Sequence, residues 1–278
     1  MKRVAALLTV HNRRETTLRC LECLFFNKIP EDYALEVYLT DDGCTDGTAE
    51  AVAEQYPSVR IIKGDGSLFW NRGMWTAWNE AAKSDYDYYL WLNDDTFLYV
   101  SAVEELLTIA SAYNDHVIVV GPAEDTSHHE ITYGGYVGTL ADSVIPPLSG
   151  TAMEIDFFNG NIVLVPRTVF LKLGNLDYHF RHSKGDFDYG MRAKEMGILM
   201  LMTGRVLGEC DEHPNIDAWR DPQLSLDDRW RALRKPTGMA PAEFFYFDRK
   251  HHGVITGLKH YLSIHLQCLF PRLWHYKS

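Results

Sequence analysis

The sequence predicts an α/β fold: a mainly parallel central sheet flanked by helices, with a mostly helical C-terminal extension. Three observations predict it. Apolar runs of strand length alternate with helix-period segments over residues 1–120. Acidic turns, Asp41-Asp42-Gly43 and Asn93-Asp94-Asp95, follow two of the strands. From Asp211 onward the strand signals give way to helical spacing. Strand–helix alternation of this kind closes a parallel sheet with helices on both faces.

The elements follow in order. Val4–Val10 is a continuous apolar run and reads as a strand. Thr16–Phe26 places Leu18, Leu21 and Phe25 on one helical face. Leu35–Leu39 is the second strand, and Thr45-Asp46-Gly47-Thr48 turns into a helix through Gln55. Asp46 stands where a helix cap is needed. Val59–Ile62 is a third strand, Asn71–Ala82 a helix, and Tyr86–Leu92 an aromatic-rich strand. Ser101-x-x-Glu104 predicts a capping box opening the next helix. His116–Val120 is a further strand, and residues 124–150 read as a hairpin or excursion. Asn161–Val165 is a strand, with Pro166 in the first turn of the following helix. Asp186–Met196 is helical and Ile198–Met202 a strand. The expected domains are a catalytic domain over 1–210, with halves 1–120 and 121–210, and a helical extension over 211–278.

With 46% hydrophobic and 23% charged residues in 278, the chain can bury a sizeable core. Its net charge of -11 argues against a nucleic-acid partner, which needs a basic face. The charge is uneven: residues 229–278 hold nine Lys/Arg against two Asp/Glu. The five cysteines are too sparse for a disulfide framework. Cys20-x-x-Cys23 has no second pair to complete a zinc site, so both read as buried or half-buried small residues. No apolar stretch approaches membrane-spanning length, and the N-terminal run is too short for an export signal. The expected location is therefore cytoplasmic.

In parallel sheets of this type ligands bind beyond the carboxyl ends of the strands. Both acidic turns belong there and should share one cleft. Adjacent carboxylates such as Asp94 and Asp95 repel unless a cation joins them. Mg²⁺ and Mn²⁺ are natural partners, because they take one or two carboxylates plus phosphate oxygens. A solvated turn with helix-capping aspartates is the plain reading. Asp41 could accept from a uracil or thymine imide or from ribose, or simply shape an Asp-Gly turn. In Gly185-Asp186-Phe187-Asp188, a carboxylate at a helix start can serve as a base. Asp186 is preferred, because Asp188 lies four residues before Arg192 and can pair with it.

Taken in order, these pieces resemble the family 2 glycosyltransferases, which have the GT-A fold. The matching segments are Leu8-Thr9-Val10 followed by His11-Asn12-Arg13, Thr40-Asp41-Asp42-Gly43-Cys44-Thr45-Asp46-Gly47-Thr48, Asn71-Arg72-Gly73 with Asn79, Leu92-Asn93-Asp94-Asp95-Thr96, Phe158-Asn159-Gly160-Asn161 and Gly185–Ala193. Together they cover about residues 3–210. The Asn-Asp-Asp-Thr form, with Gly-Asp-Gly-Ser-Leu-Phe-Trp upstream, looks most like rhamnosyltransferase-type members that build bacterial surface polysaccharides.

The resemblance implies transfer of a sugar from a UDP- or dTDP-linked donor to a hydroxyl of a glycan or lipid-linked acceptor, with inversion. It implies that Thr9 and Asp41 line the base and ribose pocket. Asp95, and with it Asn93, would hold Mn²⁺ or Mg²⁺ against the diphosphate. Asp94 would meet ribose or stand behind the ligands. Arg72 would neutralise a donor phosphate, or lie exposed at a helix start. His213 would join the metal, or be a surface-loop histidine. Asp186 would be the base. Gly185 stands where the family has a Glu, which puts a contact to the acceptor in doubt.

Rival readings share the alternating architecture. A nicotinamide-dependent enzyme lacks its third glycine, since Phe69 follows Gly64-Asp65-Gly66 at that place, and no phosphate-binding P-loop occurs. A nucleotidyltransferase making nucleotide sugars would carry a Gly-rich loop after the first strand, where this chain has His11-Asn12-Arg13-Arg14-Glu15. A non-catalytic nucleotide-sugar-binding module would bind donor without transfer. In the tail, Val254, Leu258, Tyr261, Leu262, Leu266, Leu269 and Phe270 recur at helical spacing beside basic residues. That pattern predicts either peripheral contact with the inner face of a membrane, or a helix packed on the domain or a dimer partner.

Overall fold

The computed structural model describes residues 1–138, 144–212 and 218–274. The chain divides into two units: Met1–Tyr178 with Gly185–Glu212, and His179–Lys184 with His213–Ser278.

The first unit is built on an eight-stranded sheet. It contains β1 (Lys2–Val10), β2 (Tyr33–Asp41), β3 (Arg60–Lys63) and β4 (Tyr88–Leu92), and, after the short β5 (Phe97–Leu98), β6 (Val117–Val120). After β7 (Ala123–Glu124), β8 (Ile131–Tyr133) and β9 (Gly135–Tyr136) it takes β10 (Met153–Glu154). Past β11 (Phe157–Phe158) come β12 (Ile162–Pro166) and β13 (Leu199–Met202); β14 (Gly208–Glu209) ends the series. The strand order is β10-β13-β6-β12-β4-β1-β2-β3. Pairs β1–β2, β1–β4, β2–β3 and β6–β13 are parallel. Strand β12 runs antiparallel between β4 and β6, and β10 is an antiparallel edge. A smaller sheet, β5-β14-β7-β8, and the pair β9–β11 occupy the predicted excursion and the segments it returns to.

The helices of this unit are α1 (Arg14–Phe25), α2 (Thr48–Gln55), α3 (Phe69–Ala81), α4 (Ala102–Ala112), α5 (Arg167–Leu173) and α6 (Gly185–Glu195). They lie on both faces of the sheet, and the alternation along β1 shows why. Val4, Ala6 and Leu8 join a core with Leu21 and Leu24 of α1 and Leu106 of α4. Ala5 and Leu7 join a second core with Met74 and Trp78 of α3 and Tyr189 of α6. Successive strand side chains point to opposite faces, so a strand buried on both sides reads as unbroken apolar sequence. Trp78 is fully buried and meets Trp91 edge-on at 5.3 Å between ring centroids.

Two local expectations are corrected. Ser101 stands at the start of α4 but its side chain caps nothing. Asn27, far away in sequence, does the work: its Oδ1 accepts from the Val103 N–H at 2.9 Å. Pro166 closes β12 with extended geometry, and α5 begins after it at Arg167.

The second unit holds α7 (Leu226–Arg234), α8 (Pro241–His251) and α9 (Val254–Leu269), with 3₁₀ turns at Ala218–Arg220 and Pro271–Trp274. Trp219, Leu233, Phe244, Ile264 and Cys268 form its core. Among the described residues no helix is long and apolar enough to cross a membrane.

Candidate functional site

Strands β2, β1 and β4 are parallel neighbours, so their carboxyl ends emerge along one edge of the sheet. Asp41 ends β2 opposite Val10 of β1, and Asn93-Asp94-Asp95 follows directly on β4. Two acidic clusters far apart in sequence are thus brought to the same edge.

The Asp41-Asp42 cluster has an internal division of labour. Asp41 Oδ1 accepts from the Cys44 N–H at 2.8 Å, which shapes the turn. Asp42 is 3% exposed and accepts backbone N–H groups from Gly66 (2.8 Å), Leu68 (3.2 Å) and Phe69 (2.8 Å). Three donors on one buried carboxylate fix the loop that leads into α3. Phe69 adopts φ +57, an uncommon value for a bulky residue, and Asp42 is the group that holds it there. As expected, Asp46 serves helix starts: it accepts from the N–H groups of Arg14 and Thr48, each at 3.1 Å.

Thr9 lies beneath the start of α3. A Cβ on Gly73 would sit 2.0 Å from Thr9 Oγ1, so only glycine lets the helix approach this close. Arg72 donates from Nε to the Tyr178 carbonyl at 3.0 Å, with its guanidinium 4.7 Å from the Tyr178 ring centre.

The paired aspartates face different ways. Asp94 is 7% exposed and accepts from Thr17 Oγ1 of α1 at 3.4 Å. Asp95 lies by Cys210. The Arg13 guanidinium reaches both, bonding Asp94 at 3.3 Å and also Asp95. Burial, with Asp95 alongside, pushes the Asp94 carboxyl up to about 7. Even with Arg13 present, the pair holds more negative charge than its surroundings stabilise.

That imbalance is what a divalent cation corrects. Among the described residues no group of three or more His, Cys, Asp or Glu side chains is gathered for a metal. The carboxylate pair nonetheless fits a cation that draws its other ligands from phosphate oxygens and water, as Mg²⁺ does. His213, expected beside the metal, lies outside the described residues. Burial pushes Cys210 up to about 12, and Cys20 well above its ordinary value. Cys20 is buried and Cys23 half-buried, as the sequence suggested.

Trp70 connects the acidic pair to the predicted base. Its indole N–H donates to Asn93 Oδ1 at 2.7 Å. Its ring covers Gly160: a Cβ there would lie 2.5 Å from Trp70 Cζ2 and 3.4 Å from Asp186 Cβ. Asp186 itself accepts from the Gly160 N–H at 3.1 Å and the Phe187 N–H at 2.8 Å. Two backbone donors aim the carboxylate. Asp188 is fully buried and pairs with Arg192 at 2.9 Å, the i,i+4 contact expected of it. A side chain so occupied cannot reach a substrate.

Gly185 has a structural reason. A Cβ there would lie 1.7 Å from Asn71 Oδ1, and Asn71 is anchored to the Asp177 carbonyl at 2.8 Å. The buried Asn71 amide fills the space that a larger residue at 185 would need. Gly185→Ala should destabilise the protein by about 1–3 kcal/mol, the usual effect of overpacking. Thermal unfolding checks this; an unchanged midpoint would show that Asn71 yields freely.

The raised Asp94 carboxyl gives a second expectation. Between its ordinary value of 3.8 and about 7, the folded protein keeps a proton that the unfolded chain has released. Stability from this group is therefore full at low pH and falls as pH rises through that window. Metal-free Asp94→Asn should melt higher than the parent at pH 7.5 and alike near pH 4. Thermal unfolding in a chelator across pH measures it, and a gap that widens at low pH would contradict it.

Comparison with known proteins fits this geometry. Residues 6–135 match the model of Glycosyl transferase family 2. The matched stretch runs from β1 into β9. It carries Thr9, Asp41, Arg72, Asn93, Asp94 and Asp95, and leaves Asp186 outside. No curated protein gives a significant match to the sequence. Among solved structures the chain is similar to S. aureus TarS, with TM-score 0.54 and 12% identity over 96% of this chain and 44% of TarS. It is also similar to residues 1–349 of S. aureus TarS in complex with UDP, with TM-score 0.55 and 13% identity over 96% of this chain and 72% of that one. The chain thus spans less than half of the longer TarS structure. At these identities the likeness shows the fold, GT-A.

Arg13, Trp70, Asn71 and Asp42 belong to the candidate site; the sequence put them in the segments that carry its resemblance but gave them no individual role. The indole N–H of Trp70 and the guanidinium of Arg13 act through contacts 23 and 82 residues away in sequence. No local spacing signals such contacts.

Proposed function

We propose that this chain is an inverting glycosyltransferase that moves a sugar from a nucleoside-diphosphate donor to a hydroxyl of a glycan or lipid-linked acceptor. One observation supports the reading: the contact series Asn93–Trp70–Gly160–Asp186, which links a carboxylate at a helix start to the residue preceding the acidic pair after β4. The family 2 match supports a glycosyltransferase, and the UDP held by the TarS neighbour supports a nucleoside-diphosphate donor. The Asn-Asp-Asp-Thr segment supports a rhamnosyl-type donor and a role in bacterial surface polysaccharide synthesis.

Asp95, with Asn93, would hold the divalent metal, and Asp94 would steady Arg13 and Asp95 from behind. When bound, such a cation neutralises charge growing on the leaving diphosphate. Arg13 reaches the same carboxylates and can follow the diphosphate as a second positive charge. Asp41 sits at the carboxyl end of β2 for base or ribose, with Thr9 near the end of the neighbouring β1. Asp186 takes the proton of the acceptor hydroxyl as that oxygen attacks the sugar carbon. Attack opposite the leaving group inverts the anomeric centre.

The test is a screen of UDP- and dTDP-sugars with Mn²⁺ by thermal shift, followed by product analysis on simple acceptors. A donor that stabilises the protein and yields an inverted glycoside is expected. Pyrophosphate release from a nucleoside triphosphate would favour a nucleotidyltransferase instead. Donor binding without transfer to any acceptor would favour a binding module.

A further inference from the structure

Helix α9 has one face held and one face bare. The held face packs within the second unit: Gly257, Ile264 and Cys268 are buried, and Arg229 donates to the Cys268 carbonyl at 2.8 Å. His260 meets Asp248 of α8 at 2.7 Å, and Phe245 meets the Tyr261 ring edge-on. At about 100° per residue, Val254, Ile255, Leu258, Tyr261, Leu262, Leu266 and Leu269 fall within one arc of about 140° on another side. Each is at least 37% exposed, and Ile255 and Leu262 reach 71% and 60%. Phe270 and Leu273 continue the exposure at 54% and 76%. A contiguous exposed apolar stripe this long marks an interaction surface.

Charge selects the occupant. No acidic residue occurs after Asp248, although the whole chain carries a net charge of -11. Lys259 lies on α9 beside the arc, and exposed Arg249, Lys250 and Arg272 stand near its two ends in the chain. Tyr261 and His265 are the polar side chains within the arc, fewer than a protein partner's hydrogen bonds would use. Sixteen helical residues span about 24 Å, too short to cross a bilayer and long enough to lie along one. Apolar side chains at acyl depth, with basic groups at headgroup level, describe an interfacial helix.

We propose that the bare face of α9 docks on an anionic membrane surface, with the apolar arc in the headgroup–acyl boundary and the basic rim on lipid phosphates. This stands independently of the reaction proposed above, because lipid binding is read without donor or acceptor.

The test is co-sedimentation of the full chain with vesicles of phosphatidylcholine alone or with about 30% phosphatidylglycerol. Binding to the anionic vesicles is expected, weaker by about tenfold or more on phosphatidylcholine alone and weakened by salt. Leu258→Glu with Leu262→Glu changes two exposed positions and should lower binding by about tenfold or more with an unchanged melting temperature. A chain that ignores anionic vesicles overturns the proposal. So does a double variant that binds them as well as the parent. A dimer in solution that the double variant converts to monomer, without lipid binding, would assign the face to a second copy.

Discussion

Asp186→Asn should lower transfer by about 10²-fold or more while leaving donor binding and folding intact. The substitution is nearly isosteric, and an amide oxygen can still accept from one of the two backbone N–H groups that hold Asp186. What it cannot do is accept a proton at neutral pH. The loss should fall on kcat, with the donor KM near that of the parent, because the base acts only in the transition state. Calorimetry with nucleoside diphosphate and Mn²⁺ supplies the control. Parental turnover in this variant would remove Asp186 from the chemistry and leave α6 a scaffold. Asp188 could not then replace it, since it is buried against Arg192.

Asp95→Ala should abolish metal-dependent donor binding, a loss of about 10²-fold or more. Removing a residue behind a metal ligand already lowers affinity 10- to 100-fold, and a direct ligand should matter no less. The variant also leaves Arg13 with Asp94 alone. Residual binding should then be metal-independent and salt-sensitive, as expected of a lone guanidinium on a diphosphate. Titration with and without Mn²⁺ separates the two contributions. Equal Mn²⁺ enhancement in parent and variant would place the metal elsewhere.

The two arguments rest on residues that differ in how legible they were. Strand positions such as Val4–Leu8 and Tyr88–Leu92 were readable because burial on both sheet faces writes itself as unbroken apolar sequence. The acidic turns were readable because they stop β2 and β4. Asp188–Arg192 was readable because helix geometry fixes which residues meet. Asp42 was not: its three partners lie 24–27 residues on, and only the folded loop brings them back. Gly185 shows the same limit. In sequence it is a missing carboxylate, whereas in the structure it is room for Asn71. Asn27 capping α4 in place of Ser101 repeats the lesson, because side chains that satisfy backbone groups across long separations leave no periodic trace.

Trp70 ties these strands together. It couples the β4 end, through Asn93, to the loop at Gly160, whose N–H donates to Asp186 at the start of α6. Contacts of this kind link the turn after β4 to the start of α6, the positioning that proximity in catalysis would require.

The most direct measurement is a crystal structure of the protein soaked with Mn²⁺ and UDP or dTDP, read by anomalous scattering at the manganese edge. A manganese peak on Asp95, touching the diphosphate, with the Asp186 carboxylate on the sugar side, is the expected result. Nucleotide and manganese bound together elsewhere, away from both carboxylates, would contradict the account.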